Sequence, residues 1–157
     1  MISKELGILG LGSRSTLWYI EQLNARYQEI HGGFSTCPHV LLNTNFNQIN
    51  PFLPDQFEQL EGVVKKYLDA LVELGCSKIL IPNMTLHETI DRIERKFNLD
   101  YGIIHPLKLF AEHKPSIQSK KTIILGTKYT MQSDYISGYI ENLGGEIQKL
   151  THEQETL

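Results

Sequence analysis

The feature that most constrains this chain is an alternation of two patterns. Short apolar runs bounded by Gly, Pro or Asn take turns with longer stretches whose apolar residues recur every three or four positions. The short runs read as buried strands and the long ones as amphipathic helices. Leu6 to Gly10, Val40 to Leu42, Ile79 to Ile81, Tyr101 to His105, Thr122 to Leu125 and Glu146 to Leu150 are the strand candidates. Leu17, Ile20, Leu23, Tyr27 and Ile30 form the stripe of a first helix that Gly32-Gly33 stops, with Trp18 and Tyr19 taken as core. Phe57, Leu60, Val63, Val64, Tyr67, Leu68, Leu71 and Val72 form the face of a second helix, which Gly75 ends. A third helix follows, with Ile90, Ile93 and Phe97 inward; Thr85 and Glu88 have the spacing of a capping box at its start. His105-Pro106 opens a short helix, and Tyr135, Ile136, Tyr139, Ile140 and Leu143 make the last one. Strands that alternate with helices in this way predict a parallel sheet joined by right-handed crossovers.

The first four strands are enough for a flavodoxin-like α/β domain, a parallel sheet with flanking helices. Lys114 to Lys121 is polar, contains Pro115 and is the candidate linker. The expected division is 1–118 for a first α/β domain and 119–157 for the start of a second, incomplete α/β unit. An apolar fraction of 41% suffices for a core. A net charge of -3 gives no reason to expect nucleic acid or an anionic membrane as partner. The start lacks a signal peptide and no apolar run is long enough to span a bilayer, so the expected location is the cytoplasm. Cys37 and Cys76 do not make a disulfide framework or a metal site.

In an open parallel sheet, ligands bind beyond the carboxyl ends of the strands. Three turns there carry polar residues. The first, Gly10-Leu-Gly-Ser-Arg-Ser-Thr16, brings Gly10, Gly12, Ser13 and Ser15 to a helix start, where a small anion is suited. Arg14 beside them is a carboxylate clamp or a solvated arginine. The dinucleotide pattern G-x-G-x-x-G fails because Ser15 stands at its third glycine, so no nicotinamide cofactor is expected. The second turn holds Asn83, Met84, Thr85 and His87, and the third holds Thr127 and Thr130, which also suit a plain helix cap. His87 is an acid or base candidate, or a residue that hydrogen-bonds the fold. His105 ends the fourth strand at the same edge. Both cysteines fall at the opposite end of the sheet.

These segments together resemble the aspartate/glutamate racemase family of cofactor-independent amino-acid racemases. Gly7-Ile-Leu-Gly-Leu-Gly-Ser-Arg-Ser-Thr16 is similar to the family's opening loop, which often reads G-I-x-G-G-M-x-x-x-x-T. Gly32-Gly33 with Leu41-Leu-Asn-Thr-Asn-Phe46 resembles its second strand and substrate-side loop. Gly75-Cys-Ser-Lys-Ile-Leu-Ile-Pro-Asn-Met-Thr-Leu-His87 resembles the segment that normally reads P-C-N-T-x-H, and Leu125-Gly-Thr-Lys-Tyr-Thr-Met-Gln-Ser-Asp-Tyr135 the opening of the second domain.

The resemblance implies a two-base α-proton exchange between two thiols, without a cofactor or metal, on a small amino acid such as aspartate or glutamate, in a homodimer. Beside Gly10, Ser13 and Arg14 of the first turn, it makes Thr44, Asn45, Met84, Thr85, Thr127 and Thr130 the substrate-binding candidates. Thr85, His87, Thr127 and Thr130 match the family's pattern. The first thiol position is Asn83 and its neighbour is Met84, and an amide is no general base. The motif of the second thiol lies past Leu157 in the family's register, so the chain reads as a shortened member. Asn83 and His87 are therefore the catalytic candidates. A binding module of the same fold that has lost catalysis, and a generic α/β interaction domain, remain as alternatives.

Overall fold

The computed structural model describes residues 5–112 and 120–148. The chain forms two compact units, Met1–Ile104 and His105–Leu157. In the first unit the order is β1 (Leu6–Gly10), α1 (Ser13–His31), β2 (Val40–Asn43), two 3-10 turns (Phe46–Gln48 and Asn50–Phe52), α2 (Phe57–Glu73), β3 (Lys78–Leu80) and α3 (Leu86–Phe97). The second has α4 (Pro106–Glu112), β4 (Lys121–Thr122), α5 (Lys128–Gln132), α6 (Asp134–Asn142) and β5 (Glu146–Ile147). The segment from His105 to the linker thus groups with the second unit. Most of the linker, and Lys149 and Leu150 of the last predicted strand, lie outside the described residues.

The expected parallel α/β architecture is present. The first sheet has the order β2-β1-β3, with Gly7 beside Val40 and Ile79 and Gly10 beside Asn43. The fourth predicted strand shrinks to a single parallel bridge between Ile79 and Ile103. Gly102, at φ 63, and the hydrogen bond from its amide to Asp100 Oδ1 (2.8 Å) turn the chain just before it. The second sheet, β4 beside β5, is small and incomplete, and the fifth predicted strand stops at Thr122.

The core gathers on one face of the first sheet. Leu60, Val64, Leu68 and Leu71 of α2 meet Leu86, Ile90 and Ile93 of α3 under Leu9 and Ile79, all buried. At the rim, Arg92 lies 3.7 Å from the centre of the Phe57 ring and Lys96 bonds Glu61 at 2.6 Å. The opposite face, carrying the fully buried Ile8, is left to α1 by the reversal of crossover direction after β2. One helix covers it sparingly. Leu17, Trp18 and Ile30, expected inside, are 66%, 57% and 77% exposed. Leu17 and Trp18 fall outside the stripe that Ile20, Leu23 and Tyr27 share, and Ile30 sits at the helix end. Phe97, also expected inside, is half-exposed at the end of α3, with the Lys65 and Lys96 ammonium groups each 5.5 Å from its ring centre.

Tyr101 pins the end of this unit. It is 5% exposed and donates its hydroxyl proton to Asp69 Oδ1 at 2.7 Å, while Lys65 holds the same carboxylate. Hydrogen bonds from Lys65 and Tyr101 keep the Asp69 carboxyl below its ordinary range. Burial first, then the bond to Asp69, pushes the Tyr101 hydroxyl well above its ordinary range. Because that folded-state pKa is raised, its stabilisation is complete below the unfolded value of about 10 and is lost as pH climbs past it. Tyr101→Phe is expected to cost about 1 kcal/mol in urea melts at pH 7, and to show a shallower loss of stability than the parent above about pH 10.

Candidate functional site

The carboxyl ends of β1, β2 and β3 bring three loops to one edge of the first unit. β2 and β3 flank β1, so their ends stand about 10 Å apart. The strand order reverses direction between β1 and β3, the position where open α/β sheets leave a crevice.

Gly10 at the end of β1 is buried, and a Cβ there would meet Asn43 Oδ1 at 2.6 Å. The β2 loop closes down on it: Thr44 N and Thr44 Oγ1 both donate to the Gly10 carbonyl, each at 2.9 Å. Thr44 has therefore spent its only hydroxyl proton and is left as an acceptor. Asn45 uses its side-chain oxygen to accept from Asn47 N at 3.1 Å, which leaves its amide protons outward. Arg14 is exposed at the second position of α1. The side chain of Ser13 lies outside the described residues.

The β3 turn is built around Asn83. Its backbone N–H reaches Ile81 O at 2.7 Å, and its Oδ1 accepts from Leu86 N at 3.1 Å. The side chain that caps α3 is thus Asn83 rather than Thr85, which is in the right-handed helical region and makes no capping bond. The predicted capping box is not closed from the Thr85 side, because Thr85 is helical and its hydroxyl makes no capping bond, and Glu88 pairs with Arg92 at 2.9 Å. The cap leaves the Asn83 NH2 group as two donors, and the residue is half-buried, as are Met84 and Thr85. His87 is fully buried, with Nδ1 2.9 Å from the Asn83 carbonyl oxygen. A carbonyl only accepts, so Nδ1 carries a proton and the ring fixes the turn from below.

In the second unit Thr127 caps α5: its Oγ1 accepts from Thr130 N at 3.3 Å and lies 3.0 Å from Thr130 Oγ1. The two hydroxyls share one proton between them and have the other to offer. His105 is 2% exposed; its Nδ1 accepts from Leu107 N at 3.2 Å and its Nε2 meets the Tyr135 hydroxyl at 3.0 Å. That pattern is a neutral imidazole that donates from Nε2 to Tyr135, stacked on Tyr139.

Neither cysteine is at this edge. Cys76 is buried under Gly7 ahead of β3, and Cys37 precedes β2, its thiol pushed up by burial. Among the described residues no cluster of His, Cys, Asp or Glu could hold a metal ion, and no helix is long and apolar enough to cross a membrane. Three cavities of about 400, 440 and 320 Å³ lie along α2, and no candidate residue lines them. Sequence reasoning missed Thr16, 4% exposed in the first turn of α1. The signal was there, since Thr16 is a polar residue in phase with Ile20, Leu23 and Tyr27.

No protein-family model matches the chain. The broad-specificity amino-acid racemase RacX of Bacillus subtilis (strain 168) is 25% identical over 158 residues, spanning 97% of this chain and 67% of its own. Two solved structures share the fold at 22% identity, each covering 98% of this chain and 67% of the other. One is a Yersinia pestis protein described as a candidate Asp/Glu racemase, with a TM-score of 0.82. The other is an aspartate racemase homologue from Pyrococcus horikoshii OT3, with a TM-score of 0.80. The chain therefore spans about two thirds of the length of these proteins.

Proposed function

We propose that this chain, a relative of the amino-acid racemases, is a racemase-like protein that holds a small amino acid such as aspartate or glutamate at the carboxyl edge of β1–β3. The observation that carries this reading is the division of labour at Asn83. Its oxygen is committed to α3, and its NH2 group is left to receive an anion at the positive end of that helix. The Asn45 amide protons support a carboxylate on the facing loop. Thr44, reduced to an acceptor, suits an ammonium group instead. Arg14, Ser13, Gly10, Met84 and Thr85 complete the set in the first unit; Thr127 and Thr130 belong to the proposal by the family resemblance alone, and their paired hydroxyls have one proton to offer.

Proton transfer is a different matter. The thiol of the resembling family falls on Asn83, which cannot take a proton, and His87 is buried as a support of the turn. This favours a second reading, an amino-acid-binding module in which exchange is slow or absent. Under either reading the protein works without a cofactor, pyridoxal phosphate included, in the cytoplasm and as a homodimer. Ile123 and Leu125, 45% and 76% exposed beside the small second sheet, favour association.

The assignment is tested by calorimetric titration with L-aspartate, L-glutamate and L-alanine. Thr85→Ala and Thr127→Ala are each expected to weaken binding roughly 3- to 10-fold, the loss of one hydrogen bond. Unchanged affinity in both variants removes the assignment.

A further inference from the structure

We infer that the cavity of about 440 Å³ between the 3-10 turns and α2 is a binding site for a small organic acid with a flat apolar body. Gly62 marks it. A glycine inside a helix loosens that helix relative to alanine. Packing does not demand one here, because a Cβ at Gly62 would meet no atom within 4 Å. Gly62 lies where this cavity meets the one of about 400 Å³ on the other flank of the same helix row. Lys66, one turn on, is the second residue common to both. Four residues from Lys66 on either side stand Gly62 and Ala70, so neither adjoining turn offers it a carboxylate. Asp69, three residues on, is held by Lys65 and Tyr101. Lys65, Lys96 and Arg92 each have an acidic partner, and Lys66 has none among the described residues.

The lining sets the ligand chemistry. The floor is Phe52, Val63 and Tyr67, half-buried against the core. Two rings and a branched aliphatic chain suit a flat apolar body. Tyr67 donates its hydroxyl proton to Gln48 Oε1 at 2.7 Å, which leaves the Gln48 NH2 group as a donor. The Lys66 ammonium is a donor too, and among the described residues no acidic side chain lines this cavity. The head that these groups fit is a carboxylate. Asn47, Gln48, Gly62 and Lys66 are all exposed, so a ligand enters without displacing a buried group. No residue of the proposed amino-acid edge lines the cavity, and the inference does not rest on the function proposed there.

The test is amide NMR of the full chain, titrated separately with 3-phenylpropanoate, with acetate and with 3-phenylpropan-1-ol. The expected result is a saturable shift at Asn47, Gln48 and Gly62 to Tyr67 with 3-phenylpropanoate, and much weaker binding of acetate, which lacks the ring, and of the alcohol, which lacks the charge. No shift at these amides with 3-phenylpropanoate overturns the inference, as do shifts confined to Asn83 to Leu86. Equal binding of the acid and the alcohol overturns the carboxylate assignment. Lys66→Gln, at an exposed position, is expected to weaken the acid roughly 3- to 10-fold and to leave the alcohol unchanged. Gly62→Leu puts a better helix former on the surface of α2 and fills the space above it. It is expected to keep or raise the melting temperature while abolishing the shifts. A folded Gly62→Leu variant that binds the acid as tightly as the parent overturns the site.

Discussion

Gly102→Ala is expected to destabilise the first unit by roughly 3 kcal/mol or more and to lower its melting temperature by roughly 10–20 °C. Two costs combine. Gly102 sits at φ 63, where an L side chain is strained by about 1 kcal/mol. The added methyl would also collide with the Ser77 carbonyl oxygen, which is backbone and cannot swing aside. Relief requires the segment to move off β3. That move would break the bonds from Ile79 N to Gly102 O (3.2 Å) and from Ile104 N to Ile79 O (2.8 Å). It would also uncover Ile79, which is fully buried. Thermal melts followed by circular dichroism check this. A shift of only a degree or two would mean that the turn before Ile103 does not hold this edge.

Asn83→Asp separates the two jobs assigned to one side chain. Aspartate caps helices as well as asparagine does, and its charge is favourable at the start of α3. Stability is therefore expected to stay within about 0.5 kcal/mol of the parent. Binding is expected to fall by a factor of about 30 or more. The variant loses a donor to a charged ligand group, worth about 1.5–3 kcal/mol, and faces the ligand's carboxylate with a like charge. Calorimetry on the folded variant checks it. Retained affinity would show that the Asn83 NH2 group is not where the carboxylate binds.

The parts of the fold that were legible are those where pattern and burial coincide. β1 is buried along nearly all its length, and α2 and α3 present apolar faces to a common core, so period and length sufficed for both. α1 was legible as a helix but not in its exposure, because a stripe does not reveal how little stands opposite it. Strand four shrank to a bridge because Gly102 uses its positive φ for a turn. The candidate loops were readable because β-α turns in parallel sheets gather at one edge. The cap of α3 was not, since Asn83 and Thr85 are both competent caps, and the choice falls to the backbone angles of Thr85. Nor could sequence tell that Thr44 donates to Gly10, a bond set by the β1–β2 register. Sequence left His87 open between acid–base chemistry and a hydrogen bond to the fold, and the bond of its Nδ1 to the Asn83 carbonyl supports the second.

The edge proposed to hold an amino acid has, among the groups described there, no thiol pair to move its α-proton. Proton NMR of L-amino acids in D2O with the protein present tests both halves at once. The expected result is line broadening of the ligand, strongest for aspartate or glutamate, with the α-proton signal persisting. Loss of the α-proton signal at a catalytic rate, or no broadening for any amino acid, would contradict it.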